Sequence, residues 1–413
     1  MQGRYPWCEG TAARPLNTFH KSGVSSGAAR AYSGDVATTP NELARDRIVA
    51  LSHNPTDLVT FWRDVTEVLR RTIPHYLTPC WYTLDPASLL ITSHYQDGLP
   101  EFPREWLANE YYTDDANKIV DIVRSATGIS TLHEATGGDP SESIRWHATR
   151  KMGGDQELLL RLRTRSGEVW GALGLYRAPG APFFDSEDKA FLVSIGPHLA
   201  EGARRALLIG EATDPQSPDA PGLLILSRDW DVLSTTPGVE RWLATLPDGA
   251  WGSGHLPSAV LSVAGRALRQ SENRAAANEV AMARVMNASG EWLVLHGAVL
   301  ASGGDARVAV IIEPAHPARI YPLLMAAYEL TERERDVTRM VLQGSSTAQI
   351  ADVLVVTQQT VQQHLKGIFD KTGVRSRRDL VGKIFFTHYE PRFRDNERRV
   401  TSDKPVRGGP AQA

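Results

Sequence analysis

Near the carboxyl end, Gln359, Gln362, Gln363 and Lys366 fall on one side of a helix wound at about 100° per residue. Val361, Leu365 and Ile368 fall on the opposite side. A generic solvated helix face mixes Glu with Lys. This one offers three amides and one ammonium, with no carboxylate among the four. A glutamine side chain pairs with adenine N6 and N7 in the major groove, and lysine suits guanine O6/N7 or a phosphate. Lys371, Arg375, Arg377 and Arg378 follow at once; such cations hold phosphates and position a helix without reading bases. The charge along the chain agrees. The 413 residues carry a net −3, yet residues 360–413 hold 12 Lys/Arg against 6 Asp/Glu, a net +6, which leaves −9 for the rest. An acidic body with a basic end is a localised footprint for a polyanion.

Other reactive spacings carry less. Ser25 sits in a G-x-S-x-G string, but a nucleophile elbow needs that serine on a tight turn between a strand and a helix. Its flanks are rich in Gly, Ala and Ser, so the string reads as coincidence. The Gly382-Lys383 pair is followed by Ile384 rather than Ser or Thr, so it does not complete a phosphate loop. His75, His94, His133 and His147 show no i, i+4 pairing, and His133-Glu134 lacks the second histidine of H-E-x-x-H. Asp114, Asp115 and Asp121 mark a solvated face. Cys8 and Cys80 cannot build a disulfide framework or a cysteine-rich zinc site, and Cys80 reads as a small buried hydrophobe. The expectation is a non-enzyme without cofactor or metal. With only two cysteines, no secretory signal and no apolar run near the roughly 18–20 residues of a membrane span, the expected place is the cytoplasm.

The elements that must position the polar face are legible from their caps. Thr331 with Glu334 and Ser346 with Gln349 are capping boxes, Thr357 caps a third helix, and Ser376 with Asp379 marks a fourth. Gly344 and Gly373 supply stops. The second and third helices, joined by Val355-Val356, make a helix-turn-helix whose second helix enters the groove. Upstream the expectation is α+β. Residues 1–40 are a disordered lead. Residues 41–210 run helix, strand pair, helices, strand pair, helix, with a hairpin turn at Arg165-Ser166-Gly167 and Ser186 capping the last helix. Residues 211–220 are a proline-bearing linker. Residues 221–314 are a smaller α+β unit with strands near Leu223–Leu226, 281–286, 292–300 and 308–312 and a helix over 237–246. A connecting helix covers 315–328, the all-α four-helix unit 329–390, and a disordered basic tail 391–413.

The string Leu330-Thr-Glu-Arg-Glu-Arg335, Gly344, Ile350-Ala351, Thr357-x-x-Thr360-Val361-x-x-His364 and Ile368-x-x-Lys371-x-Gly373-Val374 resembles the LuxR-type DNA-binding domain. The resemblance implies that Gln362, Gln363 and Lys366 face bases, and that Thr360, His364 and Lys371 lie near the backbone. It further implies a homodimer with the fourth helix at its interface, through Leu380, Ile384 or nearby residues. Gln362, where the family often has Lys, and Val355-Val356, where it often has a Gly-containing turn, depart from the pattern. The first α+β unit resembles a GAF domain and the second is PAS-like, together similar to actinobacterial LuxR-type regulators; both imply sensing of a small-molecule or protein signal. Trp81, Tyr82, Trp106 and Trp146 suit an apolar ligand pocket as well as an ordinary core. The expected function is a transcription regulator binding double-stranded DNA. The alternative is a signalling adaptor whose C-terminal bundle serves assembly.

Overall fold

The computed structural model describes residues 39–388 and 401, apart from 54, 56, 97–103, 209–220, 249–254, 274–275, 277–278, 301–305, 316–319, 322–323 and 326. Residues 1–38 of the lead, with the Ser25 string and Cys8, the 211–220 linker, most of the tail and half of the connecting segment therefore lie outside the described residues. Among those described, no helix is long and apolar enough to cross a membrane.

Two helices open the fold: α1 (Pro40–His53) and α2 (Leu58–Thr72), the latter capped by Asp57, which accepts from the Thr60 amide at 2.9 Å. Phe61, Trp62, Val65 and Leu69 of α2 recur at helical spacing and all turn inward. They pack on a five-stranded antiparallel sheet ordered β2-β1-β5-β4-β3: β1 (Cys80–Leu84), β2 (Ile91–Tyr95), β3 (Ile129–Thr131), β4 (Gln156–Arg163) and β5 (Val169–Arg177). Helix α7 (Ser186–Leu208) completes this layer. Its cap is Asp185 rather than the expected Ser186: Asp185 Oδ1 accepts from the Asp188 amide at 2.8 Å and Asp188 reaches back to the Asp185 amide. The opposite face is covered by α3 (Arg104–Tyr112), α4 (Ile119–Arg124) and neighbouring residues, with the short α5 (Leu132–Ala135) and α6 (Ile144–Lys151) beside them.

The pleat favours the ordinary core over a shared pocket for Trp81 and Tyr82. Successive strand residues point to opposite faces. Trp81 therefore stacks on Trp62 at 4.4 Å in one core, while Tyr82 lies in the other, against Trp106 at 6.0 Å. Trp106 is covered by the Arg145 guanidinium, 4.6 Å from its ring, and Trp146 is half-buried, its indole N–H donating to Asp155 at 3.1 Å. Trp81, Tyr82, Trp106 and Trp146 thus do not line a common pocket. Between sheet and helices sits an ion network instead: Arg145 forks onto Glu157 at 3.1 and 2.9 Å and bonds Glu110, all three buried. Burial raises the Glu110 carboxyl above its ordinary value, against the pull of Arg145. Burial also pushes the Cys80 thiol up to about 12, which keeps it protonated and argues against a redox role.

A second antiparallel sheet has the order β7-β6-β10-β9-β8: β6 (Gly222–Leu226), β7 (Val232–Thr235), β8 (Met282–Met286), β9 (Trp292–Leu300) and β10 (Arg307–Pro314). Counted within each sheet, this is the same strand order as the first. Helix α8 (Val239–Thr245) buries Val239, Trp242 and Leu243, as its spacing implied. Helix α9 (Ser258–Glu272) has no counterpart in the sequence reading, and residues 258–268 are buried without exception. It crosses α3 so closely that a Cβ on Gly265 would meet the Ala108 carbonyl at 2.3 Å. The two sheet units consequently share one continuous core, with Trp106 and Tyr111 on one side and Trp242 and Val260 on the other. Asp85 and Arg284 bridge them in a buried pair (Nε–Oδ2 3.0 Å), with the Arg284 amide also donating to Oδ2 at 2.9 Å. His94, Asp248 and Ser258 also meet, but the same ring nitrogen, Nδ1, faces both the carboxylate (3.2 Å) and the hydroxyl (2.7 Å), so the trio lacks relay geometry.

Four helices close the described chain: α10 (Glu332–Leu342), α11 (Thr347–Leu354), α12 (Gln358–Thr372) and α13 (Arg377–His388). Val337, Val341, Ile350, Val361, Leu365, Ile368, Leu380 and Ile384 meet in their core.

Candidate nucleic-acid interface

The polar face is built from its caps outward. Thr331 accepts from the Glu334 amide at 3.3 Å while Glu334 returns to the Thr331 amide at 2.8 Å. Ser346 and Gln349 repeat this box at the start of α11. Thr357 accepts from the Thr360 amide at 3.1 Å, starting α12, and Gly373 stops that helix with φ +68°. These caps satisfy amides that the helices leave without partners, and they fix where α12 begins.

Burial of Val361, Leu365 and Ile368 then leaves no freedom in the rotation of α12. Gln359, Gln362, Gln363 and Lys366 are all exposed. Gln358, which the sequence reading missed, is exposed too. Its i, i+4 spacing to Gln362, and through it to Lys366, is the signal that marks it. The exposed Asp370 continues that row one turn on and ends it with a negative charge. Thr360 and His364 are half-buried at the flank.

The basic residues divide. Arg375 and Arg378 are exposed, and no ion pair holds them among the described residues. Lys371 is engaged: its ammonium contacts Glu334 at 2.6 Å and the Glu329 carbonyl at 3.0 Å, tying α12 to the start of α10. Burial raises the Glu334 carboxyl, but Lys371 and the Thr331 cap outweigh it and hold it below the ordinary carboxylate value. Arg377 donates to the Ser345 carbonyl, joining α13 to the α10–α11 turn. Leu380 and Ile384 correct the expected dimer contact. At 0% and 1% exposure they are core residues of this chain's own helical unit, and Val381 beside them is exposed.

Comparison with known proteins bears on the same segment. The profile described as GerE, "Bacterial regulatory proteins, luxR family", matches residues 328–383. The nitrate/nitrite response regulator protein NarP of Escherichia coli is 50% identical over 48 residues, 12% of this chain and 22% of NarP. The match thus spans about a fifth of that protein. The spore germination protein GerE of Bacillus subtilis is 36% identical over 55 residues, 13% of this chain and 74% of GerE. Among solved structures, Escherichia coli SdiA aligns with 83% of this chain and 96% of its own at 11% identity and a TM-score of 0.29. A phycocyanobilin-bound GAF domain from a cyanobacterial phytochrome aligns with 41% of this chain and 96% of its own at 18% identity and 0.30. Scores of that size carry no argument for the front units.

Proposed function

Because the chain belongs to the luxR family of bacterial regulatory proteins, we propose that it is a sequence-specific transcription regulator that inserts α12 into the major groove of double-stranded DNA. The observation that carries the reading is the exposed row of Gln359, Gln362, Gln363 and Lys366 over a buried Val361–Leu365–Ile368 stripe. The amides pair with base edges and Lys366 takes a guanine or a phosphate. Thr360, His364, Arg375 and Arg378 flank the row and face the backbone. Lys371 and Arg377 serve chiefly to hold the helices together, since their cations are already engaged.

The front α+β units, read as GAF-like over 41–210 and PAS-like over 221–314, receive a small-molecule or protein signal and adjust the DNA-binding unit at 329–390. The protein works in the cytoplasm as a homodimer. With Leu380 and Ile384 buried, its contact on α13 passes to the exposed side that carries Val381.

Footprinting on genomic fragments, followed by titration of the protected operator, tests the reading. Lys366→Ala is expected to weaken operator binding, and Gln363→Ala to relax base preference by about 1–3 kcal/mol at one position. Affinity is expected to fall steeply with salt. The absence of any protected site, or a Lys366→Ala variant that binds as the wild type does, overturns it.

A further inference from the structure

Beyond the nucleic-acid face, a groove of about 300 Å³ runs between β4, the β4–β5 turn and the middle of α7. Arg161, Arg163 and Arg165 line it, and no carboxylate does. Leu160, Val193 and Pro197 are the apolar part of its lining.

Two of the arginines are held by backbone carbonyls, and Arg165 is exposed. Arg161 is half-buried and Nη1 donates to the carbonyls of Val123 (3.2 Å) and Ser125 (2.7 Å). Its guanidinium lies flat on Gly128, where a Cβ would meet Nη2 at 2.7 Å and Cζ at 2.8 Å; with φ +66°, that position favours glycine twice over. Arg163 donates through Nε to the Gly167 carbonyl at 2.9 Å. The nearest carboxylate of the turn, Glu168, is taken up by Ser166, Thr164 and Arg335. Burial first, and then the nearby charge of Arg163, depress the Arg161 guanidinium.

We propose that this groove binds a small organic phosphate. Guanidinium groups match the peripheral oxygens of a phosphate, and three arginines lining one small groove suit a multiply charged tetrahedral group better than a single planar carboxylate. The apolar part of the lining suits the carbon skeleton of such a ligand, and the volume is at the lower end of small-molecule sites.

The test is calorimetric titration of the full chain with sodium pyrophosphate at an ionic strength fixed by sodium chloride, with citrate as the carboxylate comparator. Saturable binding of one pyrophosphate per chain at this groove is expected, tighter than citrate. The double substitution Arg163→Gln/Arg165→Gln, both at exposed positions, is expected to weaken binding at least about tenfold with an unchanged unfolding midpoint. Lys366→Ala, on the nucleic-acid face, is expected to retain it, which separates this site from the DNA reading. No saturable heat, citrate binding as tightly, binding that survives the double substitution, or binding lost in Lys366→Ala each overturns the proposal.

Discussion

Val355 stands in the turn between α11 and α12 with φ +55°, and it is 88% exposed. A β-branched residue is a poor occupant of the left-handed region, where a side chain costs about 1–2 kcal/mol. Its exposure means that almost no packing offsets this. Glycine removes the clash but gives back roughly 0.5–1 kcal/mol in unfolded-state freedom. Val355→Gly is therefore expected to stabilise the helical unit by up to about 1 kcal/mol. Urea unfolding followed by circular dichroism checks this, and a lowered midpoint would show that the turn is not strained. The departure from a Gly-containing turn was visible in the sequence, but the left-handed conformation that gives it an energetic meaning was not.

At the scale of the element, α12 depends on the Lys371–Glu334 pair for its seat against α10. Glu334 is the N3 residue of the Thr331 box, and Gly367 of α12 lets its carboxylate approach: a Cβ there would meet Oε1 at 2.7 Å. A carboxyl held below its ordinary value stabilises the fold above the unfolded pKa, and that contribution is lost as pH falls through the lower, folded value. Lys371→Met is thus expected to lower the unfolding midpoint at pH 7, with the gap to wild type closing as pH falls below the ordinary glutamate range. A gap that stays constant with pH would assign the loss to packing. Elements of this kind were legible because their caps and periodicity agree: Thr331, Ser346 and Thr357 each mark a start, and an apolar stripe follows each one. Helix α9 was not legible for the opposite reason. Leu261, Ala264 and Leu268 do recur at helical spacing, but the helix carries no side-chain cap to mark its start, and the burial of Ser258, Ser262 and Arg266 on its other side is set by tertiary contacts. Leu380 and Ile384 failed differently, since apolar residues on a short helix look the same in sequence whether they meet a partner or their own core. For Trp81 and Tyr82 the ordinary core is the reading the strand period favours, because adjacent strand residues cannot share a face.

Across the whole molecule, the decisive contact joins residues 199 positions apart, which no local pattern announces. Asp85 at 0% and Arg284 at 7% side-chain exposure pair across the two sheet units, inside the core they share. Surface ion pairs contribute little, but removing one partner of a buried pair strands the other charge and costs about 3–5 kcal/mol. Asp85→Ala is expected to destabilise the protein by that amount. Asp85→Leu with Arg284→Met, which removes both charges, is expected to recover most of it, because a buried pair is often replaceable by apolar side chains of similar volume. The mode of unfolding is the more telling readout. If α3 and α9 weld the sheets into one cooperative body, the tryptophans of the first unit (Trp62, Trp81) and of the second (Trp242) lose their buried environment at one denaturant concentration, in wild type and variants alike. Single-tryptophan versions of the chain separate those signals. Two resolved transitions in the wild type would mean that the units fold independently, and a signal received in one would then need a moving hinge to reach α12. A single transition means that the units unfold as one body through a common core, with Arg335–Glu168 and Arg204–Glu329 as the polar contacts by which that core touches the helical unit and the residue leading into it.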